Sequence, residues 1–245
     1  MKIIFLAREL DSSKIMADLL RRNNWADRVV FETGVRARKK KLRRMLSRRP
    51  LWRIFLLPLD ILFLLMMTRK ANKLFYQCYS TVPRIEPDHV VTDANDIGCI
   101  EYLKQEKPDI LVIYGTAILK KSVLSIPKVA VINVHGAIVP KYRNVHGEFW
   151  AVAHEKFNEL GTSILITNEG IDSGDIVEQR TLNLKHPVSV SQAKLMVFQE
   201  TLRLIAEVMP KIRQGIVPRR PQAPPTGPNF QTPTFADWLK FRVPL

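Results

Sequence analysis

A chain of 245 residues, 46% hydrophobic and 25% charged, is long enough to bury one large core. That composition excludes wholesale disorder, collagen-like repeats and a polytopic membrane protein. Thirty-eight Lys and Arg against 23 Asp and Glu give +15, which draws the chain toward anions: nucleic acid, phosphorylated metabolite or lipid headgroup. The two cysteines, Cys78 and Cys99, stand outside any CxxC spacing. This argues against a disulfide framework or a cysteine-based zinc site and fits a reducing compartment; no metal site is expected.

In chain order, the apolar run 1–6 and the helical pattern 12–22 read as an opening βα unit, with 28–31 as a second strand. The apolar run near the N-terminus is broken by Arg8 and Glu9, too short for a secretory signal, so a cytoplasmic chain is expected. The alternation resumes with a strand at 89–91, a helix at 95–105 and strands at 109–114 and 129–132. A helix over 145–157 follows, then strands at 162–166 and 175–184. The longest helix is predicted at 190–214, with Leu195, Phe198, Leu202, Ile205 and Met209 on one stripe. Strands alternating with helices predict an α/β fold, Rossmann-like, with a mostly parallel central sheet flanked by helices. The prolines at 218, 221, 224, 225, 228 and 233 predict an extended tail. The expected organisation is a domain over 1–215, with a basic and apolar insertion at 36–78, and a Pro-rich tail over 216–245.

Within 36–49, nine of fourteen residues are Lys or Arg. The apolar stretch 51–67 that follows contains Arg53, Pro58 and Asp60 and falls short of the ~20 apolar residues of a spanning helix. Two readings stand. Either 36–67 rests on an anionic membrane surface, with Trp52 placed as an interfacial aromatic, or the apolar part is a buried helix or oligomer contact and the basic run a solvated arm. On the first reading the cytoplasmic chain sits peripherally at the inner face of the membrane.

The chemistry is concentrated in Asn133-Val134-His135-Gly136 and the residues after it. A buried strand delivers Asn133 and His135 where it ends, and in open α/β sheets ligands bind outside the carboxyl ends of strands. Residues i and i+2 of an extended segment point the same way, so amide and imidazole can converge on one atom. That pairing suits a developing oxyanion. A second polar loop, Asn168-Glu169-Gly170-Ile171-Asp172-Ser173-Gly174-Asp175, offers Asp172 to orient His135 and relay a proton. By spacing alone, a lone Asn-x-His pair is more often structural than catalytic.

Asn133-Val134-His135-Gly136, then Pro140-Lys141-Tyr142-Arg143, Gly161-Thr162-Ser163 and Gly170-Ile171-Asp172-Ser173-Gly174-Asp175-Ile176, resemble the formyltransferases that use 10-formyltetrahydrofolate. That family embraces glycinamide ribonucleotide transformylase, methionyl-tRNA formyltransferase and the amino-sugar N-formyltransferases. The resemblance is strong over 105–180. It implies a catalytic trio of Asn133, His135 and Asp172. It also implies a pterin pocket lined by Gly115, Thr116, Ala117, Ile118 and Leu119 together with Ile166, Thr167, Asn168 and Gly170. The co-substrate it implies is 10-formyltetrahydrofolate, and Tyr142, Arg143 and His146 are the implied substrate contacts.

Departures from the family pattern narrow the acceptor. The turn after the first strand reads Ala7-Arg8-Glu9-Leu10-Asp11-Ser12-Ser13, without the glycines with which the ribonucleotide transformylase cradles a phosphate. Asn144 stands where many members have glycine. The tRNA enzymes resemble this chain in a basic insertion after the second strand, but they carry a C-terminal β-barrel for which the tail is too short. The expected acceptor is therefore an anionic amine, an amino sugar on a nucleotide or lipid carrier, with charged tRNA, simple hydrolysis of the formyl donor, or non-catalytic binding as alternatives. An oligomer is compatible with all of these. Trp238 or Tyr142 is expected to stack on substrate; His89, His154 and His186 are expected in surface or local packing roles.

Overall fold

The computed structural model describes residues 1–34, 56–225 and 227–245. The basic run 36–49 and Trp52 lie outside the described residues.

The first apolar run forms β1 (Ile3–Arg8), followed by α1 (Asp11–Arg22) and β2 (Arg28–Glu32). After α2 (Leu57–Cys78) come β3 (His89–Val91), α3 (Ile97–Glu106), β4 (Ile110–Tyr114), the short α4 (Lys121–Leu124) and β5 (Ala130–His135). A two-residue β6 (Arg143–Asn144), α5 (Gly147–Ala153), β7 (Gly161–Ile166), β8 (Ile176–Thr181) and α6 (Val190–Arg213) follow. The tail adds β9 (Asn229–Phe230) and α7 (Phe235–Phe241).

One seven-stranded sheet has the order β3-β2-β1-β4-β5-β7-β8. The first five are mutually parallel, while β7 runs antiparallel to both β5 and β8. Ile3 and Phe5 enter a core beneath α1 and α6, and Ile4 and Leu6 enter the opposite core beneath α3 and α4. Covered on both faces, β1 reads as an unbroken apolar run, not as an alternation. The chain winds outward from β1 through β2 to β3, then returns to β4 on the other side of β1. This topological switch opens a crevice at the carboxyl ends of the parallel strands. Ser189 starts α6 with a capping box closed by Gln192.

Three predicted features differ from the structure. The strand expected at 129–132 continues to His135, so Asn133 and His135 belong to the strand itself. The helix expected over 145–157 stops at Ala153 and is followed by a single 3-10 turn, Phe157–Glu159. The tail is not extended throughout. All six noted prolines precede Thr234, and Thr234 and Asp237 then form a capping box that starts α7. Phe235, Trp238 and Val243 join Phe63, Phe149 and Val197 in a third apolar cluster. Packing therefore runs continuously across the boundary expected at 215.

Helix α2 answers part of the question left open for 51–67. Pro58 sits in its first turn, where no intrahelical N–H is needed. Phe63, Met67 and Ala71 are buried toward α6 and α7, and Asp60 accepts a hydrogen bond from the Phe235 amide at 2.9 Å. Its other side is exposed. Among the described residues, no helix is long and apolar enough to cross a membrane.

Candidate active site

Strand β5 lies between β4 and β7, with Ile113 opposite Asn133 on one side and Ser163 opposite His135 on the other. Ile132 and Val134 point into the core beneath α6, so Asn133 and His135 share the other face. The backbone of His135 is pinned by Thr162, whose hydroxyl donates to its carbonyl at 3.0 Å.

The loop after β7 folds back onto that face and carries Asp172 to Asn133 and His135. Its motif residues explain how. Asn168 Oδ1 accepts from the Gly170 amide and from the Ser173 hydroxyl, both at 2.9 Å. Gly174 lies so close to the Ile166 carbonyl that a Cβ there would sit 1.7 Å from the oxygen.

Asp172 Oδ1 accepts from Asn133 Nδ2 at 2.9 Å, and Oδ2 accepts from the Asn144 amide at 2.8 Å. His135 Nδ1 is 3.8 Å from Asp172 Oδ2, and both side chains are 12% exposed. Nε2 of His135 lies 3.0 Å from the Tyr142 carbonyl. A carbonyl only accepts, so this bond keeps a proton on Nε2 and turns Nδ1 toward the carboxylate. Asn133 retains a second amide N–H beyond the one given to Asp172. The three residues thus form one connected unit that presents N–H donors beside a carboxylate, the set an acyl-transfer transition state requires.

Asn144, Asp172 and His146 all have left-handed backbones, at φ 80°, 46° and 58°. Asparagine is among the non-glycine residues that best tolerate this region. That is the physical account of an asparagine at position 144. Its side chain also donates to the Phe230 carbonyl at 2.6 Å, tying the tail to the site.

The two loops expected to line the donor pocket share a rim: Lys121, just beyond 115–119, and Glu169 approach to 3.8 Å. Gly115 adopts a φ of 63°, with open space where a Cβ would lie. Thr116 and Ala117 are half-buried, Ile118 is exposed, and the Ala117 amide donates to Glu32 Oε2. The Leu119 side chain packs in the core with Leu103 and Val123. Across the rim, Ile166 and Thr167 are half-buried and Asn168 and Gly170 exposed. Thr167 Oγ1 is buried without a hydrogen-bond partner among the described residues, the kind of orphan polar atom that a polar heterocycle satisfies.

Of the expected substrate contacts, Tyr142 has its side chain in the core. It is buried beneath Phe230, its ring stacked at 5.5 Å, and its hydroxyl donates to Glu159. Burial, then that carboxylate, push the phenol's pKa up. What Tyr142 gives the site is its backbone carbonyl. Trp238 is likewise taken up in the core, stacked on Phe63 with Nε1 donating to the Val243 carbonyl. Arg143 remains at the rim, one guanidinium nitrogen donating to the Gly227 carbonyl and Nε buried without a partner. His146 begins α5, with Nδ1 3.8 Å from Glu148. Burial works against the Glu148 carboxylate, but His146 and Lys194 outweigh it and hold its pKa below the usual range. His89 stacks on Tyr102 and His154 packs against Phe230 and Phe241, while His186 is exposed.

Sequence reasoning missed Glu32 and Arg8, which end β2 and β1 at the switch crevice. Glu32 is fully buried, with Oε1 lacking a hydrogen-bond partner, and burial raises its pKa. Arg8 Nε is also buried and has no hydrogen-bond partner among the described residues. A charged residue closing an apolar strand was the signal available for both.

An open α/β sheet that carries Asn133 hydrogen-bonded to Asp172 at the end of a central strand, with His135 facing the same carboxylate at 3.8 Å, has the layout of a group-transfer protein. The formyl transferase family model matches residues 79–208, over half of the chain, and the chain belongs to that family. A methionyl-tRNA formyltransferase from Methylacidiphilum infernorum is 35% identical over 130 residues, 52% of this chain and 40% of that protein. The chain spans less than half the length of the curated relatives it matches. A sugar N-formyltransferase from Shewanella sp. FDAARGOS_354 superposes with a TM-score of 0.61 at 12% identity, over 94% of this chain and 76% of that one. The formyltransferase PseJ from Anoxybacillus kamchatkensis, solved with UDP-4,6-dideoxy-4-formamido-L-AltNAc and tetrahydrofolate, gives 0.55 at 16% identity, over 99% and 90%. At these identities the two structures share the fold.

Proposed function

We propose that the chain is an N-formyltransferase that moves the formyl group of 10-formyltetrahydrofolate to a primary amine, an amino sugar on a nucleotide or lipid carrier. The observation that carries the reading is the connected trio, Asp172 accepting from Asn133 and facing His135, inside the segment that matches the family model. The neutral amine of the acceptor attacks the formyl carbon and forms the new C–N bond. The carbonyl oxygen becomes an oxyanion that takes hydrogen bonds from the free N–H of Asn133 and from the Nδ1–H that His135 gains on protonation, its Nε2–H staying on the Tyr142 carbonyl. Asp172 accepts the proton released by the attacking nitrogen and passes it, through water, to the departing N10 as the old C–N bond breaks. The products are a formamide and tetrahydrofolate.

Three observations support the amino-sugar acceptor. The turn after β1 lacks glycine, the Arg143 guanidinium at the rim suits an anionic carrier, and the structural likeness includes sugar N-formyltransferases. A charged-tRNA acceptor is the second reading, favoured by the names of the sequence relatives. The test is release of tetrahydrofolate from 10-formyltetrahydrofolate, followed with and without amino-sugar nucleotides or methionyl-tRNA. Release that requires an amino sugar supports the proposal. Release only with tRNA moves the chain to the second reading, and release without any amine makes it a hydrolase.

A further inference from the structure

Helix α2 has two apolar sides and, among the described residues, core packing against only one of them. Phe63, Met67 and Ala71 face α6 and α7. On the opposite side Leu59, Leu62 and Leu65 are 38%, 63% and 51% exposed, flanked by Leu56 and Ile61. Single exposed leucines are ordinary, but a row over successive turns is a contiguous patch that marks an interaction surface. A helix apolar around its circumference belongs in protein or in lipid.

Charge identifies the occupant. Continuing along the outer side, the leucines give way to Arg69 and Lys73, with Lys70 at the edge, all exposed. None of the three forms an ion pair with a described residue. The only acidic residue of α2 is Asp60, which is buried and turned inward to Phe235. In sequence, the nine Lys and Arg of 36–49 precede the helix. We infer that the outer side of α2 docks onto an anionic lipid surface. The leucines enter the boundary between headgroups and acyl chains while Arg69 and Lys73 reach phosphates. The helix lies on the bilayer and does not cross it. A nucleic acid offers nothing to a row of leucines. A second copy would bring like-charged +15 chains face to face. Tyr76, further along the helix, donates a hydrogen bond to Asp11 at the start of α1. The inference does not depend on which amine is the acceptor.

The test is flotation of the full chain with vesicles of phosphatidylcholine alone and of phosphatidylcholine mixed with phosphatidylglycerol, with circular dichroism to confirm folding. The wild-type chain is expected to float with the anionic vesicles only, less so as salt rises. Leu62→Glu/Leu65→Glu and Arg69→Glu/Lys73→Glu should each weaken binding about tenfold or more. Lys104→Glu/Lys107→Glu, an equal charge change on α3 and its cap, should leave it nearly unchanged. Failure to float with either vesicle, or undiminished flotation of the folded leucine variant, overturns the inference. So does a leucine variant that turns a dimer into a monomer in sedimentation velocity without changing flotation.

Discussion

Replacing Asp172 by asparagine keeps the shape of the side chain and removes its charge and half of its accepting capacity. In the wild-type chain both oxygens accept, Oδ1 from Asn133 and Oδ2 from the Asn144 amide. Whichever way the new amide is turned, its NH2 faces one of those donors. One buried hydrogen bond is lost at a cost of about 1–3 kcal/mol. For a chain of this size that lowers the melting temperature by about 2–4 °C per kcal/mol. The effect on rate is larger, because no carboxylate remains to move the proton from the attacking amine to the leaving nitrogen. Loss of a positioned acid–base group costs about 10²–10⁴ in kcat. Steady-state kinetics at saturating donor, paired with thermal melts, separates the two. The expected result is a modest melting shift with kcat and kcat/KM falling together, the mark of an interaction made in the transition state. A folded Asn variant with kcat within about threefold of wild type, a barrier change of under ~1 kcal/mol, would refute the assignment.

Asn144→Gly should keep most activity, since glycine accepts a φ of 80° and still presents its amide to Asp172, whereas Asn144→Val should lose activity and stability together. Parallel kinetics and melts check the pair. Gly174→Ala would place a methyl against the Ile166 carbonyl and should cost about 1–3 kcal/mol or more. Urea unfolding measures that cost, and turnover should fall with it because the same loop carries Asp172. Asp27 is held below its unfolded value of 3.8, chiefly by hydrogen bonds from Arg213 at 2.5 and 2.8 Å. The stability from that pair is present above the unfolded value and disappears as pH falls through the lower folded one. Arg213→Ala should therefore destabilise by about 1 kcal/mol at neutral pH and by little in acid, read from melting temperature against pH.

Much of the scaffold was legible because the cores demand it. The runs at 109–114 and 162–166 cannot be solvated and read as strands, and the stripe on α6 reads as a helix. Asn133, His135 and Asp172 were legible as a motif, and their convergence depends on an antiparallel return that no local pattern encodes. The burial of the Tyr142 ring was not legible, because it is the tail, distant in sequence, that covers it with Phe230. The tail helix was hidden behind six prolines, although the Thr234 and Asp237 spacing was there to be read. Glu32 escaped notice because its burial is a property of the tertiary crevice, not of its neighbours in sequence.

The central claim is that the crevice beside Asn133, His135 and Asp172 holds the formyl donor. Titration calorimetry of the full chain with a hydrolysis-resistant 10-formylfolate analogue tests it most directly, with His135→Ala alongside. The account predicts one-to-one binding with a Kd on the order of micromolar, retained in a His135→Ala variant that no longer turns over. Absence of heat from a folded chain, with or without candidate amines, would contradict it.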